Sequence, residues 1–222
     1  MSLRPTHALR NAASPRVEPV VYVVDDDDAL RAALADLLDS AGLRACTFDS
    51  AEAFLSDPRE DVPACLILDV RLPGLNGLEL QRALNDEDSG LPIVFISGHG
   101  TVPMSVQALR AGAVTFLMKP FDDQALLDAV HEGIDRDRRR RTARAAHDGL
   151  ARRQALLSGR EREVMAGVVA GHANKEIARD LGISEIMVKL HRARVMQKME
   201  AHTLAELVRL HGRLHDGLRR DT

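Results

Sequence analysis

Five short apolar runs, each followed by a stretch whose apolar residues recur every three or four positions, occupy the chain up to about residue 135. The first run, Val20-Val21-Tyr22-Val23-Val24, is continuous and mostly β-branched, as in strands buried on both faces of a parallel sheet. From Ala29 to Ala41 the residues Leu30, Leu34, Leu37, Leu38 and Ala41 fall at helical spacing, and Gly42 follows as the cap. The same alternation predicts strands near 43–48, 64–68, 92–96 and 114–118, and helices near 51–57, 77–87, 103–111 and 122–135. Five such units in about 115 residues define a doubly wound α/β domain with a five-stranded parallel sheet, its functional crevice at the carboxyl ends of the strands. Residues 1–17 have no apolar periodicity and read as a loose leader, so the domain is expected over 18–135.

The pattern then changes. Residues 129–157 favour helix but are strongly charged, including Arg136-Asp137-Arg138-Arg139-Arg140-Arg141, and predict a solvated linker helix over 136–156 rather than a DNA-contacting arm. A second domain is expected over 157–222. Ser158 caps its first helix, with Glu161 completing a capping box, and Val164, Met165, Val168 and Val169 line the buried face. Asn174 is read as the cap of a short helix over 175–181 that Gly182 ends. Ser184 caps a longer helix to about Met199, and Thr203 a last one to about Leu214. Four short helices with a tight turn at Gly182 make an all-α helix-turn-helix domain.

Charge sharpens this division. Residues 1–148 carry 16 Lys/Arg and 24 Asp/Glu, a net −8, whereas 149–222 carry 14 and 9, a net +5. An acidic half followed by a basic half implies two domains with different partners, the second polyanionic. Aromatics make up only 3% of residues, which argues against base stacking as a way of holding nucleic acid. Cys46 and Cys65 have no metal-ligand spacing and read as small buried hydrophobes in a reducing compartment. No apolar run is long enough to span a membrane and no secretory signal is visible, so a cytoplasmic protein is expected. His211 and His215 are spaced as metal ligands could be, but with no third ligand nearby they read as solvent-exposed histidines.

The chemistry gathers at one edge of the predicted sheet. The first strand ends in Asp25-Asp26-Asp27-Asp28, the third in Asp69, the fourth in Ser97 and the fifth in Lys119-Pro120. Carboxylates, a hydroxyl and an ammonium therefore converge. Clustered carboxylates repel unless a cation is present, and a hard oxygen site suits Mg²⁺. In such a site Asp69 would be a nucleophile toward phosphorus, Lys119 would neutralise one phosphate oxygen and Ser97 would hydrogen-bond another. An acidic run alone is an ordinary helix N-terminus; the joint pattern, with 43, 28 and 22 residues from Asp26 to Asp69, Ser97 and Lys119 in turn, is more specific.

The segments VVYVVDDDDALR, LILDVRLPGLNGLEL, IVFISGHGTVPMSVQALRAGAVTFLMKPF and LSGREREVMAGVVAGHANKEIARDLGISEIMVKLHRARVMQKM resemble the FixJ/StyR-like branch of the NarL family of response regulators, over about 19–212. The resemblance implies a flavodoxin-like receiver followed by a LuxR-type helix-turn-helix. It makes Asp69 the phospho-acceptor, Asp26 a direct metal ligand, Asp25 a second member of the acidic pocket, and Arg71 the donor of a backbone carbonyl to the metal. Ser97 and Phe116 match the switch residues and Lys119 the lysine of the pocket. The Lys119–Pro120 bond matches one that is cis in the family. Asp27 and Asp28 match no ligand and are expected to cap the first helix.

A helix-turn-helix inserts the start of its second helix in the major groove. The family positions facing the bases are matched here by Lys189, Leu190 and Ala193, the last standing where a longer or polar residue is frequent. Arg192, Arg194, Asn174 and Lys175 are expected on phosphate, with Ser184 at the helix start. Met187 should pack inward or line the groove edge. Along the last helix Leu204, Leu207, Val208 and Leu210 form a stripe that packs partly on the core, and the resemblance implies that the rest pairs two DNA-binding domains. The function so read is that of a transcription factor, not an enzyme. It is phosphorylated on Asp69 by a sensor histidine kinase, dimerises through 103–134, and binds promoter DNA, with RNA polymerase a further partner. Two rivals stand beside it. One is an adaptor whose helix-turn-helix docks on protein; the other is a phosphohydrolase built on the aspartyl pocket, for which no substrate-recognition insertion is visible.

Overall fold

The computed structural model describes residues 18–217, with side chains up to Leu214; the leader and the His215 side chain lie outside it. The described chain forms two compact units that divide between Arg140 and Arg141.

In the first unit the strands β1 (Val20–Val24), β2 (Arg44–Phe48), β3 (Ala64–Asp69), β4 (Ile93–Ser97) and β5 (Thr115–Met118) pair in parallel in the order β2-β1-β3-β4-β5. Helices α1 (Asp28–Ser40), α2 (Ala51–Ser56), α3 (Gly77–Asp86) and α4 (Val102–Arg110) alternate with them. The sheet has a core on each face, because successive residues of a strand point to opposite sides. Val20, Tyr22, Val24, Leu66, Leu68 and Phe95 fill one, and Val21, Val23, Cys65, Ile67, Val94 and Ile96 fill the other. The two cysteines are free; Cys65 is buried, and burial pushes its thiol up to about 12, where it is inert at neutral pH.

α5 runs without a break from Asp123 to Ala155, so the expected linker is helical up to its last residue, Leu156, which is a turn. Its charged run is not all solvated. Asp137 is only 1% exposed. Its carboxylate accepts from the Ala64 N–H at the start of β3, at 3.0 Å, and from the Arg140 guanidinium at 2.7 Å. An unpaired N–H at a buried strand end is costly, and a carboxylate reaching across 73 residues of sequence satisfies it. Asp137 thereby ties α5 to the strand whose far end carries Asp69.

The second unit contains α6 (Gly159–Val169), α7 (Asn174–Leu181), α8 (Glu185–Lys198) and α9 (Leu204–Gly217). Leu150 and Leu157 join Val164, Met165, Val168, Ile177, Val188, Val195, Met199 and Leu207 in its core. The Ser158–Glu161 capping box forms as expected, and Ser184 and Thr203 cap α8 and α9. Glu161, 3% exposed, also receives the Lys198 ammonium at 2.6 Å; that bond and the Ser158 N–H hold its carboxyl down at about 2. One cap differs from expectation: Asn174 is the first helical residue and Ala173 the cap. The Ala173 N–H is satisfied from inside the helix by the Glu176 carboxylate at 2.7 Å, which releases Asn174 from capping. Gly182, at φ +65°, makes the left-handed turn into α8 that a side chain would disfavour. His211 is half-buried rather than exposed, because α9 lays part of that face toward the core.

Candidate functional site: an acidic pocket and a reading helix

Register builds the pocket. Val24 pairs with Leu68, so Asp25 and Asp69 emerge side by side where the strand order reverses. Asp69 pairs with Ile96, which puts Ser97 one residue beyond it. Ser97 pairs with Met118, and the Lys119 N–H donates to the Ser97 carbonyl at 2.8 Å, bringing Lys119 to the same edge. The Lys119–Pro120 bond is cis.

Asp25 is fully buried, Asp69 7% exposed and Ser97 fully buried, whereas Asp26 and Arg71 are exposed. One Lys119 ammonium donates to Asp25 Oδ2 and Asp69 Oδ2, each at 2.7 Å. The other oxygens accept backbone N–H groups, Asp25 Oδ1 from Asp27 at 2.9 Å and Asp69 Oδ1 from Arg71 at 3.1 Å. Burial raises Asp25 above the usual carboxylate range despite the opposing bonds from Lys119 and the Asp27 N–H. Burial works against the charge on Lys119, but the bonds to Asp25 and Asp69 outweigh it and raise its pKa. The arrangement holds a fixed cation against the two carboxylates least able to reach water. Asp25, Asp26 and Asp69 can each offer one oxygen with all three within 4.8 Å of one another. Three hard oxygen donors with one exposed approach fit a divalent cation such as Mg²⁺.

The run after β1 divides its labour. Asp27 is the cap of α1, accepting from the Ala29 and Leu30 N–H groups, and Asp28 pairs with Arg31. Asp27 thus caps the helix as expected, whereas Asp28 is its first residue and makes an ion pair instead. Ser97 Oγ accepts from the His99 N–H at 3.2 Å. Phe116, half-buried, stacks on Phe95 with ring centroids 6.0 Å apart. Two glycines that the sequence pattern did not single out shape this region. A Cβ on Gly77 would lie 2.2 Å from the Asp69 carbonyl oxygen, so α3 can start against β3 only without a side chain there. A Cβ on Gly100 would meet the Phe116 ring at 2.6 Å, so that residue keeps the space the ring occupies.

In the helical unit, the sequence-expected DNA residues fall into two groups. Lys175, Lys189, Leu190, Ala193 and Arg194 are exposed, and Ser184 spends its hydroxyl oxygen on the α8 cap. Arg192 and Asn174 are half-buried and bonded to each other at 2.5 Å, bracing α7 against α8. Met187 is 40% exposed rather than packed inward, and Ile186, not anticipated at all, is 77% exposed. Its signal was available: once Val188 and Val195 are assigned to the core, residue 186 must project away from it. On α9, Leu207 is buried, whereas Leu204 and Val208 remain exposed.

A parallel β2-β1-β3-β4-β5 sheet with paired buried aspartates and a lysine at its carboxyl edge defines a receiver domain. The family described as response regulator receiver domain matches residues 21–131, and that described as bacterial regulatory proteins, luxR family, matches 155–211. Nodulation protein W of Bradyrhizobium diazoefficiens is 48% identical over 86% of this chain and 84% of its own length. The transcriptional regulatory protein FixJ of the same organism is 45% identical over 86% of this chain and 93% of its own. The solved structure of the response regulator StyR, 48% identical, superposes with a TM-score of 0.81 over 87% of this chain and 98% of that one. The chain belongs to the NarL/FixJ family of response regulators: a receiver joined to a LuxR-type DNA-binding domain, and a phosphorylation-dependent regulator of transcription rather than an enzyme. Receiver domains bind Mg²⁺ at this acidic pocket, and no described helix is long and apolar enough to cross a membrane.

Proposed function

We propose that Asp69 accepts a phosphoryl group from the phosphohistidine of a sensor histidine kinase and that the charge so placed controls DNA binding by α8. The observation that carries this reading is the pair of 2.7 Å bonds from one lysine to Asp25 and Asp69. An Asp69 oxygen attacks phosphorus, the P–N bond breaks with its electron pair leaving to the imidazole, and an aspartyl phosphate remains. Lys119 then turns from a carboxylate to a phosphate oxygen, and Ser97 donates its hydroxyl to another. Asp26, Asp69 and the Arg71 backbone carbonyl would hold Mg²⁺ directly, with Asp25 behind them; the ion supplies positive charge that offsets the incoming phosphate. Ser97, drawn toward phosphate, leaves room into which Phe116 turns, and this alters the surface of α4, β5 and α5.

That surface supports dimerisation through 103–134. Val106 and Leu109 on α4 and Met118 on β5 are each at least 40% exposed, an apolar set with nothing covering it among the described residues. Exposed Leu204 and Val208 would pair the DNA-binding domains in the same dimer. In the complex Lys189, Leu190 and Ala193 face bases, Ser184 sits at the groove entrance, and Lys175 and Arg194 take phosphate. Arg192 and Asn174, already bonded to each other, would reach phosphate only as a braced pair. We assign 18–135 to the receiver, 136–156 to a helical linker and 157–222 to the DNA-binding domain. The protein would act in the cytoplasm, on promoter DNA, with RNA polymerase as a further partner.

The experiment is sedimentation of the full chain with and without a small phosphodonor and Mg²⁺. A shift from monomer toward dimer is expected, reversed by Leu109→Glu or Met118→Glu, which place a charge in the pairing face. An unchanged mass would overturn the proposed assembly.

A further inference from the structure

From Ile186 to Ala193 the outward face of α8 is apolar, with exposed Gln197 one turn beyond, and cations stand to either side of it. At 100° per residue, Ile186, Leu190 and Ala193 fall within a sector of about 60°, directly opposite the buried Val188 and Val195. Lys189 and Arg194 lie about 70° to the two sides of that sector. Ile186 is 77% and Leu190 42% exposed. A β-branched residue this exposed gains nothing for the helix, where it restricts the side chain, and nothing for a core it does not touch.

We propose that α8 reads its half-site chiefly by apolar contact, with Ile186, Leu190 and Ala193 seated against thymine C5-methyl groups in the major groove. The inference rests on the assignment of α8 as the DNA-reading helix and names what that helix recognises. The groove is about 12 Å wide and a helix with side chains about 10–12 Å across, so the outermost sector faces the base edges while the flanks face the two phosphate backbones. Arg194 stands on one flank, toward one strand, and Lys189 on the other, where its long side chain reaches the edge of a base beside the backbone. Between Ile186 and Ala193 this sector offers no side-chain hydrogen bond. The one apolar group a base pair offers in the major groove is the thymine methyl. The charge pattern selects DNA over a protein partner for this face: an apolar stripe between two cations complements a groove between two lines of phosphate.

The test uses full-length protein treated with phosphodonor and Mg²⁺, and a duplex selected from a random pool. The selected half-site is expected to carry thymines at its centre. Replacing those thymines by deoxyuridine, which removes only the methyl, should weaken binding about fourfold per contacted position. Ile186→Ala or Leu190→Ala should weaken binding to the thymine duplex and abolish the difference at one uracil position each, without affecting the melting of the protein, since both side chains are exposed. Arg194→Ala should weaken thymine and uracil duplexes alike. If a sequence is selected and Arg194→Ala weakens it, yet uracil duplexes bind as tightly as thymine ones, methyl reading is overturned while the DNA-reading role of α8 stands. If no sequence is enriched, or Arg194→Ala and Lys189→Ala leave binding unchanged, both fall.

Discussion

Asp69→Asn is expected to leave the chain without phosphoryl label when the native protein, incubated with a small phosphodonor and Mg²⁺, gains one acid-labile phosphoryl group. Asn preserves the size and planarity of the side chain and can still accept the Lys119 ammonium through its carbonyl oxygen, so the pocket should remain folded. What it lacks is the anionic oxygen that attacks phosphorus. Asp25 cannot substitute, because it is fully buried, whereas Asp69 reaches the surface. Asp26 is exposed, but it is not the carboxylate to which the strand register brings both Lys119 and Ser97. The effect is therefore all or none, read by intact mass at neutral pH. Label retained at full stoichiometry in the variant would move the acceptor elsewhere.

The second large effect concerns the cation. Asp26→Ala should weaken Mg²⁺ binding about tenfold or more, since even residues behind a metal's ligands cost that much and Asp26 is the exposed carboxylate of the three. Its neighbour gives an internal control. Asp27→Ala should leave Mg²⁺ affinity unchanged and instead lower stability by about 0.5–2 kcal/mol, because that carboxylate is committed to capping α1. Calorimetric titration and urea unfolding of the two variants separate the roles. Equal loss of Mg²⁺ affinity in both would mean that the acidic run acts as a diffuse charge, not as a ligand set.

Local pattern carried most of the fold. A continuous run such as Val20–Val24 can be buried only between two layers, and caps such as Ser158, Ser184 and Thr203 satisfy N–H groups within three residues, so both are visible in sequence. The pocket was legible for the same reason: each of its residues ends a strand, and parallel strands end at one edge. What escaped depends on partners far apart in the chain. Asp137 looked like one more solvated charge because its partner, the Ala64 N–H, is 73 residues away. The bond between Arg192 and Asn174 was not foreseen because the two lie 18 residues apart and Asn174 was expected at the cap, the place Ala173 takes. Gly77 and Gly100 act through the space they leave, which no residue pattern records.

β3 carries Asp69 at one end, and at the other its first N–H is held by Asp137 of α5, the helix that continues to Ala155. The strand that ends in Asp69 is therefore anchored to α5.

Charge added at Asp69 should control DNA binding by α8, and that control is read from the affinity of the full chain for its selected duplex before and after phosphodonor. At fixed salt the phosphorylated protein should bind at least tenfold more tightly, and Asp69→Asn should show no change with phosphodonor. Equal affinity for phosphorylated and unphosphorylated protein would contradict it.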